Sequence, residues 1–139
     1  MNEKRTAAVK TRKVLDSYAL LAYLQGEDAG SAVKDALASS EGGVLMNEIN
    51  VGEVYYILAR GTGRERADFF LNAVLPNLPI RVVGNDFGDV IQAARIKAGH
   101  SLSYADCLAV ATAQREDASL LTGDPEFKAV APLVEIEWI

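Results

Sequence analysis

At 139 residues the chain is about one domain long, and a half-hydrophobic composition with 24% charged residues is globular rather than disordered. The formal charge of −5 provides no global positive field for nucleic acid, although carboxylates gathered for cations would give the same sign. The single cysteine, Cys107, excludes an internal disulfide and a C-x-x-C metal site, and no apolar run reaches the about 18 residues that span a membrane.

Residues 1–12 are polar and basic without periodicity, which predicts a flexible extension ahead of one domain over residues 13–139. That start has no apolar core of a signal peptide, so a cytoplasmic protein is expected. Lys13, Val14 and Leu15 form a short strand ending in an acid, Asp16. A helix follows over residues 17–25, with Leu20, Leu21 and Leu24 on one face and Gly26 as its stop. A second helix is expected over residues 27–40, closed by Glu41, Gly42 and Gly43. Val44, Leu45 and Met46 make the second strand, and Asn47 can cap a helix that runs to Arg60. Gly61, Thr62 and Gly63 break the chain before a helix over residues 64–75. Pro76 and Pro79 bracket the entry to a third strand over residues 80–83.

Residues 86–98 are helical and Gly99 ends them. Ser103 and Asp106 fit the S-x-x-D capping pattern, in which serine takes an orphan helix N–H and the acid reaches back. Residues 119–122 are a buried strand, and Gly123, Asp124 and Pro125 form a turn bearing an acid. Residues 134–138 alternate apolar and acidic, as a half-exposed strand at a sheet edge does. Short apolar strands alternating with helices predict an α/β fold, a doubly wound parallel sheet with helices on both faces.

Four acids stand out. Asp16, Asp106 and Asp124 each have a structural explanation as a helix cap, Asp124 with proline at the first helical position. Glu53 has none, because its neighbours one turn away are Ile49, Asn50, Tyr56 and Ile57. A glutamate on such a stripe either snorkels to the surface or is a buried carboxylate compensated by a cation. In an open parallel sheet, ligands sit beyond the carboxyl ends of the strands, where Asp16 and Asp124 lie. Carboxylates converging there without basic partners suit hard divalent ions, Mg²⁺ or Mn²⁺. One histidine, His100, excludes a paired-histidine mechanism, and no G-x-S-x-G elbow supports a serine nucleophile. Ser17, Ser103 and Thr122 can cap or support the acids. Arg60, Arg64 and Arg66 form the best local basic patch, either an RNA contact or a solvated helix start. Cys107 reads as an inert buried thiol, and Tyr55 and Tyr56 as core or interface.

The segments VLDSYALLAYL, NVGEVYYIL, LSYADCLAVATA and LLTGDPEF, in this order and spacing, resemble the PIN-domain nucleases and most closely the VapC-type toxins. The resemblance implies about five parallel strands and an acidic pocket of Asp16, Glu53, Asp106 and Asp124. It implies a Mg²⁺- or Mn²⁺-dependent ribonuclease acting through metal-activated water, with Asp16 and Asp106 as the firmest ligands. It also implies a homodimer held inactive by a small antitoxin. Two rivals are a phosphoacceptor receiver domain and a non-catalytic PIN-like module that binds RNA or a partner. The receiver needs paired acids after the first strand and a lysine after the last, and the chain has neither.

Overall fold

A computed structural model describes residues 10–39 and 43–139. Most of the extension expected over residues 1–12 therefore lies outside the described residues, as do Ser40, Glu41 and Gly42 at the expected end of the second helix. Lys10 pairs with Asp117 at 2.6 Å and Arg12 with Glu116 at 3.2 Å, which ties this part of the chain to the turn before residue 119.

Five strands form one sheet: β1 (Lys13–Leu15), β2 (Val44–Asn47), β3 (Ile80–Val83), β4 (Ser119–Thr122) and β5 (Ile136–Trp138). Their order is β3-β2-β1-β4-β5, and every pairing is parallel. Among the described residues six α-helices connect them: α1 (Ser17–Leu24), α2 (Gly30–Ser39), α3 (Glu48–Thr62), α4 (Arg64–Phe69), α5 (Phe87–Gly99) and α6 (Tyr104–Arg115). Alternation along the strands divides the core between the two faces. Val14, Leu45 and Leu120 pack with Ala93, Ile96 and the small residues of α6. Leu15, Val44, Met46 and Leu121 pack with Leu20, Val33, Val54 and Phe70. Because the connections after β1 and β3 leave in opposite directions, the sheet reverses order beside β1 and β4, and the carboxyl ends of these two strands meet at that switch point.

Several boundaries differ from the sequence expectation for physical reasons. The second helix starts at Gly30, not residue 27, because residues 27–30 form a turn closed by the Gly30 N–H donating to the Glu27 carbonyl at 2.8 Å. There a Cβ on Gly30 would sit 2.6 Å from the Ala22 carbonyl oxygen, so glycine permits the close approach. Helix α3 runs through Gly61 and breaks only at Gly63, whose φ of +100° is the left-handed-side conformation that glycine tolerates. The helix expected over residues 64–75 is three pieces, α4, a π turn (Phe70–Val74) and a 3₁₀ turn (Leu75–Asn77). Pro76 in that last turn removes a backbone donor and limits helical continuation. Strand β5 is shorter than residues 134–138 and stands at the edge, as its alternation predicts.

Candidate acidic metal site

Asp16 follows β1 and caps α1, its Oδ1 accepting the Ala19 N–H at 2.8 Å. Its other oxygen accepts the Thr122 hydroxyl from the end of β4. With only 1% of its surface exposed, Asp16 has lost its hydration, and its pKa rises to about 7. Burial is the main cause, offset in part by the two hydrogen bonds and reinforced by the charges of Asp106 and Asp124.

Asp106 stands in the first turn of α6, where its backbone N–H donates to Ser103 Oγ at 3.1 Å. Ser103 is thus the cap that the sequence predicts. Burial again dominates at Asp106 and lifts its pKa to about 6, with a hydrogen bond from the Ser103 side chain to the carboxyl opposing and the charges of Glu53, Asp124 and Glu126 reinforcing. Asp124 accepts the Glu126 N–H at 3.0 Å and donates its own N–H to Thr122 Oγ1 at 3.0 Å. Thr122 therefore joins Asp16 and the Asp124 backbone through one hydroxyl. Next to it, a Cβ on Gly123 would collide with the Tyr18 ring and lie 2.9 Å from the Ile139 carbonyl oxygen. Glycine is what lets the turn carrying Asp124 pass this close.

Carboxylate oxygens of Asp106, Asp124 and Glu126 lie within 4.8 Å of one another, a spacing that one cation can bridge. Glu126 is an acid of this cluster that the sequence pattern does not single out. It is the second residue of the 3₁₀ segment (Pro125–Val130) that Asp124 caps, a region that reads only as a turn. Glu53 is half-buried on α3, and its Oε1 is buried without a hydrogen-bond partner. The snorkelling alternative therefore does not describe that oxygen. None of these five acids forms an ion pair among the described residues.

This donor set fits a hard divalent cation. All its atoms are oxygens, one is orphaned in the interior, and two carboxyls are pushed toward neutrality by burial and mutual repulsion. A cation held among them would relieve the orphaned oxygen and the raised carboxyls together.

The remaining candidates fall elsewhere. Ser17 is buried at the start of α1, beside Asp16 in sequence. Arg60 lies on α3 with its guanidinium 5.2 Å from the Tyr56 ring centre, roughly 10 Å along the helix axis from Glu53 at 1.5 Å per residue. Arg64 reaches Asp68 at 3.8 Å, and Arg66 is exposed beside an apolar groove. Tyr55 donates to Asp68 and thereby clamps α3 to α4. His100 ends α5 with Nδ1 2.9 Å from the Ile96 carbonyl, away from the acids' hydrogen-bond network. Cys107 is fully buried, and burial raises its thiol pKa, so it is unreactive.

The PIN domain family model matches residues 13–133. Many solved structures are similar in fold. VapBC2 from Rickettsia felis, bound to a DNA fragment from its promoter, shares 14% identity at a TM-score of 0.71, covering 92% of this chain and 98% of its own. VapC20 from Mycobacterium tuberculosis, a sarcin-ricin loop cleaving toxin, shares 22% at 0.69, covering 85% and 94%. FitAcB from Neisseria gonorrhoeae shares 19% at 0.69, covering 89% and 95%. No curated protein sequence matches the chain. With the family model spanning most of its length over a parallel sheet in the order β3-β2-β1-β4-β5, the chain belongs to the PIN domain family.

Proposed function

We propose that this chain is a divalent-cation-dependent endoribonuclease and the toxin of a VapBC-type pair. The observation that carries the reading is a cluster of carboxylates beside the carboxyl ends of β1 and β4, none of them in an ion pair among the described residues. Asp16, Asp106 and Asp124 converge there, with Glu126 in reach of Asp106 and Asp124 and Glu53 charge-coupled to Asp106. Asp106, Asp124 and Glu126 would hold the cation, with Asp16 and Glu53 closing the site directly or through water. A bound Mg²⁺ or Mn²⁺ supplies a water acidic enough to attack at neutral pH and an electrophile for the phosphodiester oxygens. The chain's part is positional: Thr122 fixes Asp16 against Asp124, and Ser103 fixes Asp106. Asp16 and Asp106 must give up their protons for the cation, so uptake is coupled to proton release.

Arg60, Arg64 and Arg66 supply positive charge on α3 and α4 for the RNA backbone. The similar structures from Rickettsia felis and Salmonella typhimurium are VapBC assemblies on DNA, which supports a small antitoxin as partner. An apolar groove of about 390 Å³ lined by Leu24, Leu58, Phe69, Phe70 and Val74 offers such a protein a surface, with Phe69 64% exposed. A homodimer in the cytoplasm completes the reading. The test is incubation with mixed RNA in Mn²⁺ or in EDTA, beside Asp16→Asn and Asp106→Asn. Cleavage should require Mn²⁺ and fall at least a hundredfold in both variants; cleavage unchanged in both would show the site to be wrongly assigned.

A further inference from the structure

Two asparagines stand one turn apart at the start of α3, and both are fully buried. Asn47 saturates its amide. Its Oδ1 accepts the Ile49 N–H at 2.9 Å and the Asn85 side chain at 3.1 Å, and its Nδ2 donates to Asn85 Oδ1 and Thr112 Oγ1. Asn50 does not. Its Nδ2 donates to the Ala105 carbonyl at 3.1 Å, while its Oδ1 has no partner. Among the described residues the other buried orphan is Glu53 Oε1, three residues on and thus on the same face of α3. The donor bond pins Asn50 to the residue that precedes Asp106. Both orphans therefore lie on the side of α3 that faces the first turn of α6, beside Asp106. An acceptor deprived of water loses hydration without recompense, so each of the two calls for a partner.

We infer that Asn50 is a positioning residue for the cation: its Oδ1 accepts a hydrogen bond from a water in the hydration shell of the divalent ion, while its Nδ2 sets Asp106 at the right distance. This rests on the proposed metal-dependent function and adds a residue to it. Mg²⁺ and Mn²⁺ keep several waters when few protein ligands reach them, and those waters need acceptors. An amide oxygen supplies one without adding charge to a pocket already crowded with carboxylates. That is why a neutral asparagine suits this place better than a sixth acid.

The experiment is calorimetric titration of Mn²⁺ into the full chain and its Asn50→Leu variant, beside thermal melts of both without metal. Leucine keeps the volume and removes both polar groups. Mn²⁺ affinity should fall 10- to 100-fold in Asn50→Leu, with the metal-free melting temperature unchanged or raised. Equal Mn²⁺ affinity would overturn the inference and leave the metal site intact. A wild-type chain that takes up no Mn²⁺ would overturn both. Should Asn50→Leu fail to fold, Asn50→Ala decides, because it removes both polar groups without adding bulk or charge. Its Mn²⁺ affinity should fall at least about tenfold, and wild-type affinity would overturn the inference.

Discussion

Thr122 donates its hydroxyl to Asp16 across the β1–β4 pair, and the same oxygen accepts the Asp124 N–H at 3.0 Å. One fully buried side chain thus sets the spacing between acids that are 108 positions apart in sequence, Asp16 and Asp124. Removing the hydroxyl while keeping the shape, as in Thr122→Val, orphans an acceptor and a donor together. The expected cost is about 1–3 kcal/mol of stability at pH 7, with Mn²⁺ affinity about tenfold weaker. Thermal melts and metal titration of the variant check this, and wild-type values for both would refute it.

The raised carboxyls make a prediction about pH. Asp16 at about 7 and Asp106 at about 6 hold protons in the folded chain that an unfolded chain, titrating at about 4, has already lost. Their folded pKa values exceed the unfolded ones, so this stability is fully present below about pH 4 and is lost as pH rises through 6 to 7. Without metal the chain should therefore melt higher at pH 5 than at pH 8, by a difference on the order of a few kcal/mol. With saturating Mn²⁺ the order should reverse, because the cation binds the deprotonated carboxylates. Melts at both pH values in EDTA and in Mn²⁺ decide it, and parallel trends under the two conditions would contradict the site.

Glu126 and Glu53 should separate metal binding from folding in different ways. Glu126 is exposed, so Glu126→Gln should leave stability within about 0.5 kcal/mol. It should still weaken Mn²⁺ binding several-fold, since its carboxylate lies within 4.8 Å of those of Asp106 and Asp124. Glu53→Gln relieves repulsion with Asp106 and should stabilise the metal-free chain slightly while weakening Mn²⁺ at least tenfold. Unchanged Mn²⁺ affinity in either variant would remove that residue from the site.

Much of this arrangement is legible in the residues. Strands such as Val14-Leu15 and Leu120-Leu121 are short apolar runs ending at an acid or a turn, and a parallel sheet places both ends on one edge. Glu53 stands out because an acid interrupts an apolar stripe. Glu126 is hidden because its direction depends on the 3₁₀ segment that Asp124 and Pro125 start, and turn residues alone do not set where a side chain points. Asn50 is hidden for another reason: a polar residue on a half-apolar helix gives no sign of whether its amide is satisfied. The break at Gly63 rather than Gly61 likewise depends on which glycine adopts positive φ, a choice made by the packing of α3 against α4.

A divalent cation held on these carboxylates is what the proposed function requires. This requirement is tested most directly by calorimetric titration of Mn²⁺ into the metal-free chain at pH 7.5, beside Asp106→Asn. Asp106 is buried, raised in pKa, and within reach of Asp124 and Glu126. Binding should be saturable in the wild type, with at least a tenfold loss of affinity in Asp106→Asn. A titration without saturable heat, or equal affinity in the two proteins, would contradict it.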